Sequence, residues 1–382
     1  LKPKAVYVHV PFCEQICHYC DFNKFFLKNQ PVTEYLMDCD TEMERTVEAF
    51  PYDNIQSVYV GGGTPTSLST NQLQTLLRSV RTHFNIKEPE SIEFTVEVNP
   101  GSADEEKLTM MLREGANRLS IGVQTFDAGL LEKIGRDHKP DDVQETIDRS
   151  RRAGFENISI DLMFGLPGQT IEQFEETLER ALALNIEHVS AYSLKVEAKT
   201  VFYQLMKKGK LPLPTEDTEA DMYERLIEKL TGGGFTMYEI SNFAKPGRES
   251  RHNLTYWENE QYYGIGAGAH SYINGVRRRN HGPLPKYMNA IQEGQLPYLE
   301  EHTVPVKEQM EEEMFMGLRK RIGVSMARFE EKYGCTMESV FGGTIDQLKK
   351  RELVTINQGR IQLTEKGRFL GNEVFEQFLL QR

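Results

Sequence analysis

The sequence predicts an α/β fold, a partial (β/α)6 TIM-like barrel, followed by a smaller α+β region and a C-terminal winged-helix-like module. Three observations predict it. Six short β-branched runs alternate with amphipathic helical stretches from residue 5 to about 195. The alternation breaks at KKGKLPLPTEDTE (207–219), where two prolines and a glycine oppose helix. Near the end, LVTINQGRIQLTEKG (353–367) sets two apolar-alternating runs around Asn357-Gln358-Gly359, the signature of a hairpin.

The predicted strands are AVYVHV (5–10), SVYVG (57–61), IEFTVEV (92–98), RLSIGV (118–123), ISIDLMF (158–164) and HVSAYSL (188–194). Helical periodicity lies between them, as at 32–50, 71–84 and 170–184. Strand, helix, strand at this spacing requires a parallel sheet with right-handed crossovers. Six units are two short of a closed barrel of eight. A helix is predicted over 217–231, then an irregular aromatic stretch RHNLTYWENEQYYGIGAGAHS and the triplet Arg277, Arg278, Arg279. The expected domains are therefore a barrel over 1–210, a connecting α+β region over 211–300 and the winged-helix-like domain over 301–382.

The net charge of −12 lacks the clustered basic face that counterion release needs, so no nucleic-acid partner is expected. The C-terminal candidate recognition segment TIDQLKKREL (344–353) carries Lys349, Lys350 and Arg351, but EQMEEE (308–313) precedes it, so a packing or docking role is preferred. No apolar run reaches the roughly 18 residues of a membrane span, and the opening LKPKAVYVHV lacks the regions of a secretory signal. Five cysteines, three clustered and Cys39 and Cys335 alone, make a poor disulfide framework. A cytoplasmic protein is expected.

The three clustered cysteines, Cys13, Cys17 and Cys20, are spaced C-x3-C-x2-C. Three thiolates hold three corners of a [4Fe–4S] cube and leave one iron for an exchangeable ligand. Zinc completed by His9 or His18, or a redox pair at Cys17 and Cys20, are the alternatives. The ends of the predicted strands speak further. Gly61-Gly62-Gly63-Thr64-Pro65 ends the second strand, Glu97 and Asn99 the third, Gln124 the fourth, and Asp161 falls in the fifth. Catalytic groups of a parallel barrel gather at such carboxyl ends. Taken singly, each residue is as well explained as a cap or turn former. Together they suit a small zwitterion: carboxylates for an ammonium or ribose hydroxyls, glycine backbone for a chain end, Arg136 for a carboxylate.

These motifs resemble those of the radical S-adenosylmethionine (SAM) superfamily. The likeness is closer to its oxygen-independent coproporphyrinogen oxidase family, through YVHVPFC (7–13), GGGTPT (61–66), EVNP (97–100), RLSIGVQTF (118–126) and DLMFGLPGQT (161–170). The resemblance implies a [4Fe–4S] cluster on Cys13, Cys17 and Cys20, with SAM chelating the open iron. It implies SAM contacts at Tyr7, Tyr19, Gly62, Gly63, Thr64, Glu97, Gln124, Arg136 and Asp161. Two departures weaken the dehydrogenase reading: Phe22 stands where coproporphyrinogen dehydrogenases carry a fourth cysteine, and six residues precede Tyr7 in place of a long arm. The heme-chaperone branch fits better, through Cys20-Asp21-Phe22 and His252-Asn253-Leu254-Thr255-Tyr256-Trp257.

That branch implies His252 as a heme-iron ligand; by their chemistry, Tyr256 and Trp257 are expected against the porphyrin face and Arg277 to Arg279 at the propionates. The plain reading of these residues is a hydrogen-bonded structural histidine, a core tryptophan and a solvated arginine face. The expected function is a heme chaperone that binds the cluster, SAM and heme. Its implied partners are acceptor hemoproteins, membrane-bound ones included, and an electron donor of flavodoxin or ferredoxin type, with a homodimer left open. Coproporphyrinogen III dehydrogenase, or another radical SAM enzyme, is the alternative, and SAM cleavage is an open question.

Overall fold

The computed structural model describes residues 2–380. Its first half reads β1 (Ala5–Val10), α1 (Val32–Ala49), β2 (Ser57–Gly62), α2 (Thr70–His83), β3 (Glu93–Val98), α3 (Glu105–Arg113), β4 (Arg118–Gln124), α4 (Ala128–Ile134), α5 (Pro140–Ala153), β5 (Ile158–Phe164), α6 (Ile171–Ala183) and β6 (His188–Ser193). The six strands pair in sequence order, all parallel. They are buried along almost their whole length, which is why they read as near-continuous apolar runs. Helix starts follow local chemistry: Ser69 and Gln72, then Thr170 and Gln173, form capping boxes at α2 and α6. Gly135 and Gly154 close α4 and α5 with φ of 76° and 112°, conformations that glycine adopts without strain.

The chain continues through α7 (Val201–Lys207), α8 (Glu216–Gly232), β7 (Thr236–Glu239), β8 (Asn242–Ala244), α9 (Arg251–Trp257), β9 (Tyr262–Ile265), β10 (His270–Ile273), β11 (Val276–Asn280), α10 (Leu284–Gln292) and β12 (Tyr298–Thr303). Here the structure adds to the sequence reading. β9 pairs parallel with β1, Ala5 opposite Tyr262, as a seventh parallel strand. Its four residues run into Gly264, Gly266 and Gly268, and so carry little strand signal. The sheet does not close. Its order is β12-β11-β10-β9-β1-β2-β3-β4-β5-β6-β8-β7, with antiparallel strands at both ends.

Residues Met222 to Ile291 contribute to the same apolar core as the six-strand unit. A second core, from Met314 to Phe378, belongs to the C-terminal module. That module comprises α11 (Val306–Gly317), β13 (Val324–Ser325), α12 (Met326–Tyr333), α13 (Met337–Lys350), β14 (Val354–Asn357), β15 (Arg360–Leu363), α14 (Glu365–Phe369) and α15 (Gly371–Glu376). Its small sheet has the order β13-β15-β14, the winged-helix arrangement. Asn357 pairs with Arg360 across a two-residue turn in which Gln358 and Gly359 have φ of 48° and 70°. Positive φ at both central positions is the type I′ turn that matches strand twist. No helix among the described residues is long and apolar enough to cross a membrane.

Candidate cluster and SAM site

Parallel strands bring their carboxyl ends to one rim, and the chemistry sits there. β1 leads through Phe12–Cys13, a two-residue strand paired with Phe25–Phe26, so the loop bearing Cys17 and Cys20 leaves and returns beside it. Gly63 lies against this loop: its NH donates to the Val10 carbonyl at 2.8 Å, and Thr64 NH to Phe12 at 2.8 Å. A Cβ on Gly63 would stand 2.7 Å from both carbonyl oxygens, so only glycine fits. The Cys13 thiol is pushed up to about 11 by burial, with the neighbouring Cys20 and Cys17 adding to the shift. Burial also raises Cys20.

A cavity of about 420 Å³ opens above the strands. It is lined by all three cysteines and by Tyr19, Gly62, Gly63, Thr64, Glu97, Gln124, Arg136 and Asp161. Eleven of the twelve residues that the resemblance assigns to cluster and SAM thus face one space. Glu97 accepts from Tyr59 Oη at 2.7 Å and from Gly62 NH at 2.9 Å, and burial raises its carboxyl to about 7. Asp161 accepts from Ser120 Oγ, with both oxygens at 3.2 Å, and its pKa is likewise raised by burial. Arg136 donates to Asn99 Oδ1 at 3.3 Å, to Cys17 Sγ at 3.6 Å and to the Gly122 carbonyl. Its Nε is buried with no hydrogen-bond partner. Gln124 is set at the cavity by a bulge at the end of β4, with φ of 66°.

Tyr7 stands one layer behind. Its hydroxyl donates to His9 Nδ1 at 2.8 Å, and His9 Nε2 donates to the Asn23 carbonyl at 2.7 Å. Asn23 Nδ2 in turn donates to the carbonyls of Ala267 and Gly282, both at 2.9 Å. The cysteine loop is therefore fastened from inside by His9 and from outside by the glycine-rich turn after β9. Sequence reasoning named His9 only as a zinc donor and gave the glycine-rich turn no role. Both ring nitrogens of His9 are occupied, and His18 Nδ1 donates to the Lys133 carbonyl at 2.9 Å. Among the described residues no three His, Cys, Asp or Glu side chains gather as a single-ion site. Zinc needs its donors drawn onto one ion, whereas a cube takes thiolates at separate irons. The donor set fits the cube.

His252 is not at this rim. It lies at the opposite, amino ends of the strands, 1 % exposed. Its Nδ1 bonds Ser57 Oγ at 3.0 Å and its Nε2 bonds Tyr256 Oη at 2.8 Å. Burial pushes its pKa down to about 3, so the ring is neutral. Glu93 anchors the start of α9, accepting from Ser250 Oγ and from the NH groups of Arg251 and His252 at 2.9 to 3.0 Å. In this conformation neither ring nitrogen is open to iron. The expected arginine triplet is similarly engaged. Arg277, Arg278 and Arg279 pair with Glu312, Glu301 and Glu300, the last two across the β11–β12 ladder. A run of three cations in a strand drew three acids from its neighbours, which sequence position alone does not reveal.

Comparison with known proteins sharpens this geometry. The radical SAM superfamily model matches residues 7–181, and the HemN C-terminal domain model matches residues 304–370. The chain is 51% identical to heme chaperone HemW of Bacillus subtilis (strain 168), over 98% of this chain and 99% of that protein. The chain belongs to the heme chaperone HemW family of radical SAM proteins. The HemW of Escherichia coli (strain K12) is 33% identical over 100% of this chain and 99% of its own length. A solved structure of coproporphyrinogen III oxidase (HemN) from Escherichia coli, described as a radical SAM enzyme, superposes with a TM-score of 0.85. It is 25% identical and covers 99% of this chain and 90% of its own. The HemW relatives, not this oxidase, are nearest in sequence among these proteins, in keeping with Phe22 at the position of the oxidase family's fourth cysteine.

Proposed function

We propose that the chain holds a [4Fe–4S] cluster on Cys13, Cys17 and Cys20, binds SAM beside it, and carries heme to acceptor hemoproteins. The single observation behind the first two parts is the convergence of three thiols and eight further predicted residues on one cavity of about 420 Å³. When bound, the cluster supplies one-electron chemistry at the SAM sulfonium. The chain's own residues bind and orient. The backbone at Gly62-Gly63-Thr64 offers polar groups to the methionyl end, Arg136 offers its unpartnered Nε to a carboxylate, and Glu97, Gln124 and Asp161 remain for ammonium and hydroxyl groups. The heme part rests on the HemW relatives. His252 serves in this reading as a structural pin beneath the barrel.

Anaerobic reconstitution tests it. The expected result is about four irons and four sulfides per chain, an EPR signal that changes when SAM is added, uptake of hemin with a Soret band, and no conversion of coproporphyrinogen III. Bound zinc in place of iron, or decarboxylation of coproporphyrinogen III, would overturn it.

A further inference from the structure

We propose that Glu42, on α1, positions the cysteine loop through the glycine-rich turn that follows β9. The proposal rests on the cluster reading above and adds to it a residue that lines no part of the cavity. Glu42 is 1 % exposed. A carboxyl so buried is costly unless hydrogen bonds replace its water, and here three neutral donors do so. Gly266 NH reaches Oε2 at 2.8 Å, Asn280 Nδ2 reaches Oε1 at 2.6 Å, and the Tyr287 hydroxyl bonds Oε2. Asn280 Nδ2 also donates to the Gly266 carbonyl at 2.9 Å, so the turn is gripped at both its NH and its carbonyl. Tyr35, on the same face of α1, takes the next NH. Its hydroxyl accepts from Ala267 at 3.1 Å and donates to the His9 carbonyl at 2.7 Å.

The turn then meets the loop. Gly266 and Gly268 have φ of 99° and 78°, the left-handed region that glycine adopts without strain. A Cβ on Gly266 would stand 2.5 Å from Tyr35 Oη and 2.6 Å from the His9 carbonyl oxygen, and one on Gly268 would stand 2.9 Å from Asn23. Asn23, shortly after Cys20 in the chain, donates to the Ala267 carbonyl and accepts at its own carbonyl from His9. Tyr35, His9, Asn23 and Ala267 thus close a ring of hydrogen bonds, and Glu42 fixes that ring at Gly266. A buried network with each member satisfied is rigid. The arrangement also gives the antiparallel extension a task. Asn280 ends β11 and Tyr287 stands on α10, elements outside the six-strand unit.

The full chain, loaded with its cluster, is exposed to an iron chelator, and cluster loss is followed by its visible absorbance. Glu42→Gln keeps the volume but turns one acceptor oxygen into a donor. It should speed the loss about tenfold, in line with one lost hydrogen bond to a charged group. Asn23→Ala should act in the same direction, and the double variant should lose its cluster no faster than Asn23→Ala alone, because Glu42 acts through the turn that Asn23 joins. His188→Ala, which breaks the buried bonds of that ring to Ser159 and Tyr238, should lower the melting midpoint yet keep the wild-type rate of cluster loss. That control separates positioning from general destabilisation. Tyr35→Phe removes one hydroxyl from the ring and repeats the test where Glu42→Gln does not fold. Loss no faster in Glu42→Gln and Tyr35→Phe than in His188→Ala, or effects that multiply in the double variant, overturns the positioning role alone. No cluster in the wild type overturns the cluster reading together with it.

Discussion

The two ends of the barrel use the same side-chain types for opposite purposes. At the carboxyl ends, polar groups face a cavity: Arg136 keeps a buried Nε without a partner, and Glu97, though bonded by Tyr59 and Gly62, is raised by burial. At the amino ends, two buried histidines are paired at every ring nitrogen. Two Ser–His–Tyr chains cross this floor, Ser57–His252–Tyr256 and Ser159–His188–Tyr238, with each imidazole bonded at both nitrogens. Burial lowers the pKa of both histidines, so both are neutral. A buried polar group with every partner present specifies packing, whereas one lacking a partner waits for a ligand.

The largest effect should come from the rim. Cys17→Ala, on the half-exposed part of the loop, should abolish cluster assembly while the melting midpoint of the metal-free chain barely moves. Iron analysis and thermal unfolding of the same sample read the two halves of this outcome. The floor should answer in the reverse sense. His252→Ala leaves Ser57 and Tyr256 unpaired and opens a void, costing about 2–4 kcal/mol of stability. His188→Ala should cost a similar amount for the same reasons. Neither should shift the Soret maximum of bound hemin. A shift in His252→Ala alone, at an unchanged midpoint, would restore an iron ligand at that position and break the comparison.

Much of the rim was legible because parallel barrels send every strand's end to one place, and a polar residue closing an apolar run is visible in one dimension. Glu97 and Gln124 were found that way, and Asp161 as the one acid inside the apolar run of β5. The strand and helix limits followed from periodicity, and ISIDLMF (158–164) coincides with β5 residue for residue. The floor was not legible. Ser57, Glu93 and His188 open their strands as single polar residues, and nothing local says that α9, about 60 to 195 residues further on, closes over them. His252 was read from its motif within a stretch expected to be irregular, which the structure instead folds as α9, β9 and β10, and the motif does not say which side of that helix faces the barrel. The role of Asn23 depends on contacts more than 240 residues away in sequence.

The next effect is a pH dependence, and it belongs to the rim. Burial raises the Glu97 carboxyl from its ordinary value of 4.5 to about 7. A group whose folded pKa lies above its unfolded one favours the folded state fully below the lower value, and that contribution is lost as pH rises through the higher one. The SAM-free chain should therefore lose stability between about pH 5 and pH 8, and Glu97→Gln should lose less over the same window. A larger loss in the variant would mean that the donors Tyr59 and Gly62 outweigh burial, and that Glu97 is ionised before ligand arrives.

The smallest effect tests the arginine triplet. Arg279 pairs with Glu300 at 41% and 64% side-chain exposure, and exposed pairs contribute about 0–1 kcal/mol. Arg278 is different: 7% exposed, it lies between the rings of Phe50 and Tyr298 and bonds Glu301 at 3.0 Å. Arg279→Ala should leave both the melting midpoint and hemin affinity near wild type, while Arg278→Ala should lower the midpoint by packing loss and leave affinity per folded molecule unchanged. If Arg279→Ala weakened hemin binding, the propionates would lie along the strand face, and the contrast between satisfied and waiting charges would have to be redrawn on this edge of the sheet.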